Sequence, residues 1–122
     1  MHETALLEQL TEDIGIAHQL LELIDEEFAA LGNRDLAGLE AILTKKQPLL
    51  ALLGQHGAQR SQWLTGQQLT PDRNGLQAAV SGSPSGETIL EQARTLEAEL
   101  ESCRSANERN GRLIRANQSA LG

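Results

Sequence analysis

The apolar positions of the first 31 residues recur at alternating steps of three and four: Leu7, Leu10, Ile14, Ala17, Leu21, Ile24, Phe28 and Leu31. That spacing keeps one stripe on an α-helix, and over residues 3–31 it predicts a helix about 43 Å long. Leu6 and Leu20 lie beside the stripe and widen it to a face suited to a bundle. Gly15 falls mid-helix, where Gly costs about 1 kcal/mol relative to Ala. Gly32-Asn33 reads as the stop, with Gly supplying the left-handed residue that closes the last turn. Asn33 or Asp35 then caps the next helix. So short a link makes the two helices antiparallel neighbours.

The second helix is predicted over about residues 35–64. Leu36, Leu39, Leu43, Leu50, Leu53 and Leu64 form its inward line, with Ile42 and Leu49 beside it. Pro48 removes one backbone hydrogen bond and crowds the preceding turn, so a kink is expected there, and the apolar pattern resumes in register after it. Beyond Leu53 the pattern thins to Gly54, His56, Gly57 and several Gln, which predicts a frayed or loosely packed last portion. Residues 65–86 are irregular. Within them Thr70-Pro71-Asp72 reads as an N-cap with proline at the first helical position, opening a short helix over about 71–80 that buries Leu76 and Val80. Ser81–Gly86 reads as a flexible link.

A third long helix is predicted over about 87–120, with the line Ile89, Ala93, Leu96, Leu100, Cys103, Asn107, Asn110, Ile114, Asn117, Leu121. Up to Cys103 the line is apolar; beyond it three of the five residues are asparagines. A buried amide without a partner costs about 1–3 kcal/mol, so something in the chain or in a second molecule must hydrogen-bond these side chains. The fold class is all-α: a single helical domain, residues 1–122, of three long helices running up, down and up as a coiled-coil-like bundle.

Composition agrees. The apolar 39% is mostly Leu, Ala and Ile, with one Trp, one Phe and no Tyr, which favours helices over sheets. A net charge of −7 argues against partnership with nucleic acid or anionic membranes. One cysteine forms no internal disulfide and fits a reducing compartment. There is no secretory signal and no window near the ~20 apolar residues that membrane insertion needs, so the expectation is a soluble, cytoplasmic protein. The first helix holds eight acids and no Lys or Arg, whereas Arg104–Arg115 carries a net +3. In an up-down-up bundle that basic end lies beside Asp25-Glu26-Glu27.

Catalytic chemistry is poorly provided for. His2, His18 and His56 are scattered, and none sits in a Glu-x-x-His or His-Glu-x-x-His spacing. No glycine-rich phosphate loop or nucleophile elbow occurs, so no catalytic residue, metal or cofactor is expected. Cys103 reads as a small core residue. Trp63 reads as end-packing or as an exposed contact. The asparagines leave two readings open. They form an internal polar layer that fixes register or oligomer state, or they line a groove for another helix.

Arg34-Asp35-Leu36-Ala37-Gly38-Leu39, followed by Lys45-Lys46-Gln47, and above all Asn107-Glu108-Arg109-Asn110-Gly111-Arg112-Leu113-Ile114 are similar to segments of the FlgN family of flagellar export chaperones. The order of long helix, tight turn, long helix, loop and final helix resembles that family too. The resemblance implies a cytoplasmic, non-enzymatic chaperone for type III export. Its clients would be hook-associated (hook–filament junction) proteins, gripped by their C-terminal helical segments, kept from assembling early and delivered to the export ATPase or gate. The expected partner-binding residues are Asn107, Asn110, Leu113 and Ile114, with Asn117 added from the heptad line, in a monomer or weak dimer. Many members continue past this motif with a further tail, whereas this sequence ends at Gly122. The alternative is a structural coiled-coil module that self-associates through the third helix without a client.

Overall fold

The computed structural model describes the backbone of residues 1–121 and the side chains as far as Gln118. Four helices follow in order, α1 Glu3–Asn33, α2 Leu36–Gly66, α3 Arg73–Ala79 and α4 Gly86–Leu121, with no strand among the described residues. The all-α architecture of three long helices and one short one is therefore the one the hydrophobic pattern implies.

The long helices are arranged around α1. Against α2, pairs fall as α1 rises: Gln9 bonds Gln59, Asp13 bonds His56, and Glu27 meets Lys46, so the two run antiparallel. Against α4, pairs rise together: Ala17 with Cys103, Ile24 with Asn110, Leu31 with Asn117. These two helices are parallel. The α2 and α4 backbones nowhere approach within 8 Å Cα to Cα among the described residues. The bundle thus has two closed seams and one gap.

Serving two partners widens the buried face of α1. Leu6, Leu10, Ala17, Leu20 and Ile24 are buried, while Leu7, Ile14 and Leu21 of the expected stripe are only half-buried. The stripe is therefore turned towards Leu6 and Leu20, and each such leucine contributes about 1.5–3 kcal/mol by leaving water. Phe28, expected inward, is exposed, with the Arg109 guanidinium 4.1 Å from its ring centre.

The α1–α2 turn departs from the expected stop. Gly32 stays helical, and Arg34 takes the left-handed conformation at φ 54°. The N–H of Arg34 bonds Leu31 O at 3.3 Å and that of Asp35 bonds Ala30 O at 2.9 Å, which satisfies carbonyls the helix end leaves free. Asp35 then caps α2 by accepting from the Gly38 N–H at 2.9 Å. Pro48 lies inside α2, which continues beyond it to Gly66.

The second half of α2 is not frayed. Asp13, fully buried on α1, accepts from His56 at 2.6 Å and from Arg60 at 2.7 Å. Arg60 also donates to Gln9 at 3.0 Å, and Gln9 donates to Gln59 at 2.8 Å. A polar clamp fastens this stretch where apolar spacing runs out. Next to it Leu64 is buried with Leu6, Leu10 and Leu96.

α3 fills one end of the gap between α2 and α4. Its Leu76, and Val80 just beyond it, join the same buried cluster as Leu64, Ile89 and Leu96. The cap is Asp72 rather than Thr70. Asp72 accepts from the Gly75 N–H at 3.0 Å and from the Thr70 hydroxyl at 2.6 Å, and these bonds, the hydroxyl first, hold its carboxyl below the usual range. Arg73 forks onto Glu97 and ties α3 to α4. At Gly75 a Cβ would lie 1.7 Å from the Thr70 carbonyl oxygen, so only glycine fits.

Two outcomes follow for stability. Asp13→Ala strands the Arg60 guanidinium at a largely buried site, takes the acceptor from His56 as well, and is expected to cost about 3 kcal/mol by urea titration; a loss below about 1 kcal/mol would show that the clamp contributes little. Gly75→Ala is expected to lower the urea midpoint and to raise amide exchange over residues 73–80 first, and unchanged exchange there would contradict the tight approach at Thr70.

Candidate functional site

The single inward line expected on α4 is two lines in the structure. Ile89, Leu96, Cys103 and Asn110 are buried, and Asn117 continues them half-buried, all on the side towards α1. Ala93, Leu100, Asn107 and Ile114 face the gap, and of these Leu100, Asn107 and Ile114 are exposed. Leu121, the last expected position, lies outside the described side chains.

The buried line works as a ladder. The Cys103 thiol donates to Ala17 O at 3.4 Å, the Asn110 amide to Ile24 O at 2.8 Å, and the Asn117 amide to Leu31 O at 3.4 Å. Donors and acceptors both step by seven residues, so one side chain per heptad of α4 holds a backbone carbonyl of α1. Asn110, 2% exposed, also donates to Glu27 at 3.0 Å and accepts from Arg109 at 3.0–3.1 Å. Its partner is thus in the same chain. Arg109 in turn meets Asp25 at 3.0 Å, and the basic end of α4 lies against the acids of α1 as the charges implied. Burial first, then the nearby charges of Glu99 and Asp25, push the Cys103 thiol up, which makes it a packing and donor group rather than a nucleophile.

The five sequence-predicted residues therefore divide. Asn110 and Asn117 are engaged with α1; Asn107 and Ile114 stand on the gap side, and Leu113 is half-buried. Asn107 shares a shallow depression with Arg104, Glu108, Gly111, Arg112 and Arg115. Arg104 pairs with Glu101 at 2.7 Å and with Glu108 at 3.6 Å. Arg112 and Arg115 have no ion pair among the described residues.

Across the gap, α2 presents residues that sequence spacing had assigned to the core. Leu36, Leu43 and Leu50 are 77%, 51% and 48% exposed, and Ile42 is buried in their place. Stepping on by sevens gives Gly57 and Leu64, which line a cleft with Ala93, Leu96, Leu100 and Trp63 at the α3 end. Trp63 packs at the margin of the core there. A heptad line predicts a helix–helix face but not whether the facing helix belongs to the same chain, so spacing alone puts these leucines in the core.

The division of the asparagines is directly testable. Asn110→Ala is expected to cost about 2 kcal/mol of stability, the loss of a buried hydrogen-bonded amide, while Asn107→Ala stays within about 0.5 kcal/mol, as surface changes do. Equal effects on chemical denaturation would contradict the two-line assignment.

Among curated proteins none matches this chain. Among solved structures, one described as a crystal structure of a flagella synthesis protein, FlgN, from Pseudomonas aeruginosa is similar over 100% of this chain and 94% of its own, at 40% sequence identity and a TM-score of 0.87. The family model for the FlgN protein matches residues 1–122. With this helical order and this asparagine-bearing α4, the chain belongs to the FlgN family.

Proposed function

We propose that the protein is a cytoplasmic, non-enzymatic export chaperone that binds hook-associated flagellar proteins through their C-terminal helical segments, prevents premature assembly and delivers them to the flagellar type III export apparatus. The family match along the whole chain carries this reading. The exposed apolar residues support it: a chain that leaves leucines and isoleucine uncovered in a row is built to meet another molecule. No helix among the described residues is long and apolar enough to cross a membrane.

In this proposal the client contacts α4 between Asn107 and Asn117. Asn107 and Ile114 offer an amide and an apolar side chain directly, and Leu113 adds apolar edge. Asn110 and Asn117 act from behind, holding the segment on α1 so that the contact surface is already formed when the client arrives, which lowers the ordering cost of binding.

Titration calorimetry against the C-terminal segment of a hook–filament junction protein tests the proposal. A 1:1 complex is expected, and Ile114→Asp is expected to weaken it by tenfold or more by placing a charge on the apolar part of the surface. Absence of binding, together with a dimer that survives dilution, would overturn the chaperone reading in favour of a self-associating coiled-coil module.

A further inference from the structure

The gap between α2 and α4 is closed at one end by the chain itself and, among the described residues, is uncovered at the other. At the closed end Leu76 and Val80 of the α3 region, four residues apart, insert between Leu64 of α2 and Leu96 of α4. Arg73 meets Glu97 on the α4 wall. A short apolar helical segment with a charge matched to that wall is therefore what this gap accepts.

The open end repeats the same construction, with no side chain among the described residues inserted into it. On α2 the line Leu64, Gly57, Leu50, Leu43, Leu36 leaves the cleft at seven-residue steps, and its last three members are exposed. On α4 the line Ala93, Leu100, Asn107, Ile114 leaves the same cleft at the same step, with Leu100 and Ile114 exposed. α2 is antiparallel and α4 parallel to α1, so the two lines run antiparallel to each other, Leu50 level with Asn107 and Leu43 level with Ile114. Two heptad lines flanking one slot match the 3.5-residue repeat of a helix packed in coiled-coil fashion; an extended segment has no such period. From Leu36 to Leu50 the uncovered α2 wall is about 21 Å long, room for about four turns of helix.

The charges choose among occupants. At the filled end α4 offers Glu97, and the chain answers with Arg73. Further along, the sign reverses to Arg112 and Arg115, which have no ion pair among the described residues and share a depression with Asn107. The outer face of α1 holds Glu8, Glu12, Glu22 and Glu26, all exposed, so an acidic segment is repelled from the back of the molecule and drawn to this side.

We infer that Leu36, Leu43 and Leu50 of α2 form the second wall of the binding site, and that the occupant is an amphipathic helix of the client, docked as a fourth helix opposite α1 with carboxylates along its edge next to α4. The inference rests on the chaperone reading above and assigns to α2 a role that the asparagine segment alone does not require.

The experiment uses the full chain and the C-terminal segment of a junction protein. Leu43→Ser/Leu50→Ser alters only exposed side chains, so helicity and urea midpoint are expected to hold, while affinity for the segment falls by tenfold or more. Ala41→Ser, about 200° round α2 from Leu43, is the control and is expected to leave affinity unchanged. Separately, replacing the segment's acidic residues by Lys is expected to weaken binding to the wild-type chain several-fold and to weaken it much less in Arg112→Gln/Arg115→Gln, a comparison that needs no change in α2. If the segment binds the wild-type chain and the α2 double variant binds equally well, the second wall is wrong and the chaperone reading stands. If the segment does not bind the wild-type chain at all, both fail. If the wild-type chain is a dimer that the α2 substitutions dissociate without changing client affinity, a second copy covers the leucines and the inference is overturned.

Discussion

Everything in this fold follows from how α4 is held on α1. Three donors on α4, the Cys103 thiol and the Asn110 and Asn117 amides, reach backbone carbonyls of α1 at a constant sequence separation of 86 residues. Pairing at a fixed offset defines a parallel register, and parallel helices cannot be joined by a tight turn. The chain must travel back before α4 begins. α2 makes that return, and α3 occupies the space left where it ends. Because α1 takes one line of α4 and one flank of α2, each of those helices keeps a second line, and Leu36, Leu43 and Leu50 of one and Leu100 and Ile114 of the other stay exposed.

The use of amides rather than leucines in the lower half of the seam has a physical consequence. Apolar seams tolerate sliding and rotation among near-equivalent packings, whereas an amide that bonds one particular carbonyl does not. Asn110, bonded to Ile24, Glu27 and Arg109 together, fixes both the rotation and the height of α4. Asp13 does the same for α2 through His56 and Arg60. Both anchors are buried polar groups that the chain itself satisfies, and no buried side-chain nitrogen or oxygen among the described residues lacks a partner.

Much of this was legible in the sequence, and the parts that were not share a cause. Heptad spacing located the long helices, and the short link together with the charge of Arg104–Arg115 against Asp25–Glu27 gave their directions. Spacing could not tell a line packed on the same chain from one left for another molecule, so Leu36, Leu43, Leu50 and Leu100 read as core. Nor does it register polar anchoring, so the Asp13 clamp made the end of α2 look loose. The left-handed residue at Arg34 instead of Gly32 was hidden for a different reason: a glycine two residues earlier is the stronger local signal. The asparagines stand out in the sequence by their cost in a seam, and that cost is met by α1 for Asn110 and Asn117 but not for Asn107.

The central claim is that α1 forms the floor and α2 and α4 the walls of one binding slot. A photo-reactive residue substituted at position 43, with a second chain carrying it at position 22 on the outer face of α1, tests it most directly. The account predicts that, on illumination with the junction protein's C-terminal segment, position 43 captures the segment and position 22 does not. Capture at position 22 alone, or at neither position while the segment is bound, would contradict it.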